Sequence, residues 1–179
     1  DIVYIVDNPM LRRFLPRPYS TVLARLMKEV KPEIVLAAAT TQGRTILPVV
    51  AAKLNTGLTA DCTGLDIDPV DRTLLQTRPA IGGNVMATIK TPVARPQMAT
   101  VRPKSQKPLP PDKTRCGQVV LKTYESGIFE TCEELVDVVK DRTQDVNVQD
   151  ADIVVSGGKG LKSRDNFRMV EELAELLGA

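Results

Sequence analysis

The 179-residue sequence contains no histidine and no tryptophan. Without histidine, Ser-His-Asp and Cys-His nucleophile arrangements are impossible, and so is any His-ligated zinc, iron or haem site. Chemistry must rest on backbone groups, Lys and Arg, carboxylates, hydroxyls or a bound cofactor. Aromatic residues are scarce, three Tyr and three Phe. None lies beside the lysines of the loop around Lys104, which therefore reads as solvated rather than as a stacking surface for nucleic acid. Charge of one sign is lacking too: 24 Lys and Arg face 22 Asp and Glu, a net charge of +2 that argues for neither nucleic acid nor a lipid surface. No apolar run approaches the roughly 20 residues of a membrane span. Hydrophobic and charged fractions of 42% and 26% are those of a soluble globular protein. Cysteines are few and odd in number; Cys62, Cys116 and Cys132 have no Cys-x-x-Cys spacing and read as reduced thiols of an intracellular protein. Asp1 to Asp7 lacks the basic stretch of a secretory leader and reads as a strand already under way.

What is present is an alternation of strand and helix patterns. Tyr19, Val22, Leu23, Leu26, Met27 and Val30 share one helical face, and Lys31-Pro32 ends that helix. The continuous apolar run Ile34 to Ala38 suits a strand covered on both faces in a parallel sheet. The turn Thr40-Thr41-Gln42-Gly43-Arg44 leads into a second helix with Ile46, Val49, Val50 and Leu54 on it and Pro48 at or just past its first turn. Asn55-Thr56-Gly57 stops it, and Leu58 to Ile67 reads as a further strand. This order is that of an α/β layer fold. Leu74 to Ala80 and Val85 to Thr91 then read as a hairpin about Ile81-Gly82-Gly83-Asn84, with Gln97 to Val101 available as a third strand. Pro103, Pro108, Pro110 and Pro111, mixed with Lys104, Lys107 and Lys113, mark an exposed loop. Gly117 to Tyr124 reads as a strand. Residues 131 to 140 fit either a helix capped by Thr131 and Glu134 or, from Val136, Val138 and Val139, a strand, with the strand preferred. Ala151 to Val155 reads as a buried strand, Ser156 to Ser163 as a glycine turn, and Asn166 to Leu177 as a helix carrying Phe167, Val170, Leu173, Ala174 and Leu177 on one face.

Three places invite a chemical reading. In Ser156-Gly157-Gly158-Lys159-Gly160-Leu161-Lys162-Ser163, glycines past a strand end let successive N–H groups converge and the following helix adds a positive end, an arrangement that favours an anion such as a pyrophosphate. Lys159, Lys162 and Arg164 reinforce that field. Ser163 stands where a dinucleotide fingerprint has its third Gly, and the Gly-Lys-Ser/Thr of a P-loop is missing; a tight turn that binds nothing has the same pattern. The Gly43 turn lies where open α/β sheets bind ligands, yet one glycine reads as structural before it reads as a nucleotide site. Asp61, Asp66, Asp68 and Asp71 have no calcium-loop spacing and read as a solvated strand end rather than a metal site.

Together these segments resemble the alpha subunit of electron transfer flavoprotein. The likeness is carried by Ala151 to Ser163 followed by Asn166-Phe167 and Glu171-Glu172-Leu173-Ala174, and upstream by Ala39 to Arg44 with Pro48 and Ala51-Ala52, Thr59 to Thr63, Arg78-Pro79-Ala80 with Gly83-Asn84, and Ala99 to Arg102. The resemblance implies a three-layer Rossmann-like sheet domain over 1–148 with an added hairpin, lacking the family's usual first strand and helix. It implies that 149–179 open a flavodoxin-like FAD domain with its first strand and helix, so that the chain is an internal portion of such a subunit. It further implies an electron carrier with no catalytic residue or metal of its own and FAD as cofactor in the full-length protein, at a site this chain holds only in part. The cofactor-binding residues it implies are Gly157, Gly158, Lys159 and Gly160, with Lys159 where the family usually has Arg and so without that side chain's bidentate fork. The implied partners are the beta subunit and acyl-CoA or other flavin dehydrogenases. The implied location is cytoplasmic, or the mitochondrial matrix in a eukaryote. Arg95 to Pro103 resembles prokaryotic members that take electrons from NADH and bifurcate them. Two readings from other classes stand beside this one: an α/β domain binding AMP or ATP at the Gly43 turn, and a scaffold that binds only a partner subunit.

Overall fold

A computed structural model of the chain describes residues 1–80, 85–139, 148 and 151–179. It divides into two compact units, Asp1–Leu135 and Val136–Ala179.

The first unit is built on a parallel sheet of three strands, β2 (Ile34–Ala38), β7 (Gln97–Val101) and β3 (Leu58–Cys62), in the order β2-β7-β3. β7 is the central strand of this sheet rather than a third member of the hairpin. Its side chains alternate between two covered faces, as a central parallel strand requires, and Gln97, Met98, Ala99 and Thr100 are all buried. Met98 joins Ala24, Ile46, Leu47, Val50 and Ala51 of α1 (Pro16–Val30) and α2 (Thr41–Leu54) on one face. On the opposite face Ala99 meets Cys62 and Leu74, so the antiparallel sheet that carries Leu74 forms the third layer. That sheet is β4 (Gly64–Ile67), β5 (Leu74–Pro79) and β6 (Met86–Ile89), with Pro79 opposite Met86. The hairpin strands therefore pair as the pattern predicts; the turn residues Ile81 to Asn84 lie outside the described residues. Within β5, Gln76 is fully buried and both polar atoms of its amide lack a hydrogen-bond partner among the described residues.

The run from Leu58 to Ile67 is two strands rather than one. Asp61 takes a left-handed φ of 61° and the register with β7 shifts between Thr59 and Cys62, which turns the chain out of the parallel sheet and into the antiparallel one. Both helices begin earlier than their apolar periodicity alone implies. Pro16 and Pro18 sit in the first turn of α1, where their missing N–H groups cost little. Thr40 caps α2 through its hydroxyl, which accepts from the Gly43 amide at 3.2 Å, so residues 41–44 are the helix's first turn and Pro48 lies inside the helix. Lys31 and Asn55 end the helices in the left-handed conformation.

A second parallel pair joins β1 (Ile2–Ile5) to β8 (Gln118–Leu121), with Ile2 opposite Gln118. After it, Ser126–Phe129 forms a 3₁₀ turn that the sequence pattern did not suggest, burying Phe129. Residues 131–139 form neither the strand nor the capped helix expected. Thr131 accepts from the Glu133 amide instead, and Val136, Val138 and Val139 remain exposed with no strand beside them among the described residues. Residue 140 lies outside the described residues.

The second unit has no buried residue among those described. Ala151 to Val155 is not a strand: it pairs with no described segment, and Ile153 and Val154 are exposed. A strand exists only through its ladder, so apolar composition alone does not make one. The helix α3 runs Arg168–Leu177, shorter than the predicted start at Asn166 because Asp165–Phe167 forms a separate 3₁₀ turn.

Candidate functional site

The glycine turn of the second unit is built in steps that its sequence only partly announces. Gly158 precedes a 3₁₀ turn over Lys159–Leu161, closed by the Leu161 amide donating to the Gly158 carbonyl at 3.0 Å. The Ser163 amide then donates to the Leu161 carbonyl at 2.8 Å around Lys162, whose φ of 67° and ψ of −44° make this a γ-turn of the strained hand. The Asn166 side-chain amide donates to the same Leu161 carbonyl at 2.7 Å, tying the turn to the residues before α3. Sequence reasoning missed the γ-turn, because nothing in Leu-Lys-Ser marks a positive φ at lysine.

The three glycines do different things. A Cβ on Gly157 would collide with the Leu161 side chain and lie 2.9 Å from Val170 Cγ2 and 3.2 Å from Phe167 Cε2, so Gly157 is glycine to let this turn close over its own apolar side chains. Gly158 and Gly160 have no neighbour within 4 Å of where a Cβ would stand, and neither has a positive φ. Neither packing against the described residues nor backbone conformation asks for glycine there. Around them Lys159, Lys162 and Arg164 are exposed, and none of these side chains has a hydrogen bond or ion pair among the described residues. Uncommitted cations beside open glycine backbone fit a polyanion such as a pyrophosphate. The expected helix dipole contributes less than the sequence suggests, since the rest of its own 3₁₀ turn, the Lys162 γ-turn and a second 3₁₀ turn over Asp165–Phe167 separate Gly160 from the start of α3 at Arg168, and the dipole's effect falls off within one turn.

The Gly43 turn of the first unit has the opposite character. A Cβ on Gly43 would overlap the Ala38 carbonyl oxygen, so this glycine serves the close packing of α2 on the end of β2. The cation beside it is already committed. Arg44 donates from Nε to the Ala39 carbonyl and from its terminal nitrogen to Asp61 Oδ1, both at 2.9 Å, and Arg102 holds Asp61 Oδ2 at 2.7 Å. Asp61 thus joins the carboxyl ends of all three parallel strands. The Arg102 guanidinium, followed by the Arg44 charge, holds its carboxyl below the usual carboxylate range. Sequence reasoning grouped Asp61 with Asp66, Asp68 and Asp71. The signal that separates it was available: Arg44 and Arg102 each lie a few residues past the end of an apolar strand run.

Asp68 and Asp71 form the solvated end expected of that acidic group. Asp68 accepts from the Val70 amide, Asp71 from Thr73, and Lys90 bridges both carboxylates at 2.6 and 3.0 Å. The Thr73 hydrogen bonds, with help from Lys90, pull Asp71 down to about 2. No group of three or more potential metal ligands occurs among the described residues. Cys62, Cys116 and Cys132 are unpaired thiols, and burial pushes the Cys62 thiol upward. Among the described residues no helix is long and apolar enough to cross a membrane.

Comparison with known proteins gives these features a context. Residues 1–125 match the electron transfer flavoprotein domain, and residues 147–179 match the electron transfer flavoprotein FAD-binding domain. The electron transfer flavoprotein subunit alpha of Thermoanaerobacterium thermosaccharolyticum is 48% identical over 178 residues, covering 99% of this chain and 54% of that protein. Protein FixB of Clostridium saccharobutylicum is 41% identical over 180 residues, covering 99% of this chain and 53% of that protein. A subunit of Acetobacterium woodii named lactate dehydrogenase (NAD(+),ferredoxin) subunit LctC is 37% identical over 179 residues, covering 100% of this chain and 42% of that protein. The chain spans about half the length of the curated relatives it matches.

Proposed function

The chain belongs to the electron transfer flavoprotein family, and from that premise we propose that it acts within an alpha subunit that carries electrons through FAD from flavin dehydrogenases to a downstream acceptor. In this reading residues 1–148 form the domain that meets a beta subunit, and 149–179 open the FAD domain. The protein is a cytoplasmic electron carrier rather than an enzyme in its own right.

The observation that carries the proposal is the glycine turn. Among the described residues nothing packs against Gly158 or Gly160, and the cations beside them have no hydrogen-bond or ion-pair partner. When bound, FAD supplies the electron-carrying chemistry, and the protein supplies binding, orientation and local charge. Lys159 offers a point charge to the pyrophosphate, Gly158 and Gly160 let the backbone come close, and Gly157 allows the turn to close. The match of 147–179 to an FAD-binding domain supports the same assignment.

A bifurcating role, in which electrons come from NADH, draws support from the relative whose name includes NAD and ferredoxin, without singling out a residue of this chain for it. An AMP or ATP site at the Gly43 turn has less support, because Arg44 and Arg102 are both engaged by Asp61. Equilibrium binding on the full-length subunit separates these readings. FAD binds and weakens when Lys159 is changed to Ala, while AMP affinity is indifferent to Arg44→Ala. An AMP affinity that falls with Arg44→Ala would favour the nucleotide reading instead.

A further inference from the structure

The loop between β7 and β8 has no part in the site above, yet its apex is organised. It is anchored at both ends: Ser105 bonds the Arg102 carbonyl through its hydroxyl at 2.7 Å, and Arg115 pairs with Asp1 at 2.6 Å. Between these anchors residues 106–111 make no hydrogen bond to any described residue, and all are exposed. The apex reads Lys107-Pro108-Leu109-Pro110-Pro111-Asp112-Lys113. Three prolines fix their own φ near −65° and push Lys107, Leu109 and Pro110, which precede them, out of the helical region toward extended or polyproline II backbone. None of these residues has a positive φ. Polyproline II leaves its backbone carbonyls free for a partner and repeats every three residues, so Pro108 and Pro111 fall on the same edge. The Asp112 carboxylate ends the extended stretch by accepting from the Thr114 amide at 2.9 Å and from its hydroxyl.

Leu109 is 89% exposed at the centre of this ridge, which nothing in the fold requires of a leucine. Lys107 and Lys113 flank it without an ion pair among the described residues. The spacing Pro-x-x-Pro-x-Lys, on backbone that loses little entropy when bound, is the chemistry read by grooves walled with aromatic rings and closed at one end by carboxylates. We propose that residues 107–113 are a preformed polyproline II ligand that docks in an aromatic-lined, acid-ended groove on a partner protein, with Pro108 and Pro111 in the groove and Lys113 at its acidic end. This surface is independent of the FAD assignment and stands or falls separately from it.

The probe is an isolated SH3 domain of the class that binds Pro-x-x-Pro-x-Arg/Lys ligands, titrated with the full-length protein and followed through the indole emission of the groove. Saturable binding is expected, weakened at least tenfold by Pro108→Ala with Pro111→Ala, and about fivefold by Lys113→Glu. All three positions are exposed, and circular dichroism of the variants checks that the fold is intact. Absence of saturable binding, or binding that ignores the two proline substitutions, overturns the proposal and leaves the loop a rigid spacer.

Discussion

Two glycine turns, Gly43 in the first unit and Gly157 to Gly160 in the second, look alike as sequence and behave as opposites. At Gly43 the missing Cβ is filled by the protein itself: the Ala38 carbonyl occupies the space, and the neighbouring Arg44 is spent on Ala39 and Asp61. At Gly158 and Gly160 the space stays open and the cations stay unspent. A glycine that the fold needs is evidence about packing. A glycine that the fold does not need, beside uncommitted charge, is evidence about a ligand. On that difference rests the proposal that the second turn binds a ligand and the first does not.

The comparison can be broken by substitution. The largest effect on stability belongs to Gly43→Ala, which drives a methyl into backbone and should cost about 3 kcal/mol in urea unfolding; a loss under 1 kcal/mol would mean that α2 can shift away from β2 easily. Gly157→Ala meets side chains rather than backbone, and should cost about 1 kcal/mol locally, read as faster hydrogen exchange over 161–170 in the full-length protein. Asp61→Asn removes a partly exposed double ion pair and should cost about 1 kcal/mol or less near neutral pH. Its pH signature is more specific. The folded Asp61 carboxyl lies below its ordinary 3.8, so its contribution is complete above that value and is lost as pH falls through the lower folded value. The wild type should therefore lose its advantage over Asp61→Asn as pH falls below the ordinary carboxylate range; an advantage that never diminishes in acid would remove the ion pairs from the account. The smallest change in stability belongs to Gly160→Ala, within about 0.5 kcal/mol of wild type, and a larger loss would show that this glycine too is structural.

The apolar patterns made the layers of the first unit legible because burial there is repaid on both faces of β7. Tyr19, Leu23 and Met27 of the first helical stripe and the hairpin strands found the partners their periodicity implies. The run from Ile34 to Ala38, expected to be covered on both faces, is instead an edge strand among the described residues, with Leu36 49% exposed. Where the pattern misled, a tertiary partner was the missing term. Ala151 to Val155 has strand composition without a described strand to pair with, and Val136 to Val139 likewise. The break at Asp61 was invisible because a left-handed aspartate inside an apolar stretch is set by Thr100, Arg44 and Arg102, which lie far along the chain. The residues of the glycine turn were legible by name, but their division of labour was not: only the neighbours of each absent Cβ distinguish Gly157 from Gly158 and Gly160.

The most direct measurement is the FAD dissociation constant of the full-length subunit carrying Lys159→Ala, taken alongside its unfolding midpoint. A charge-assisted contact worth about 1.5 kcal/mol or more predicts FAD binding weakened at least tenfold, with the midpoint of the FAD-free protein unchanged because the Lys159 side chain has no hydrogen bond or ion pair among the described residues. FAD affinity equal to wild type, with the protein folded, would contradict the assignment of the cofactor to this turn.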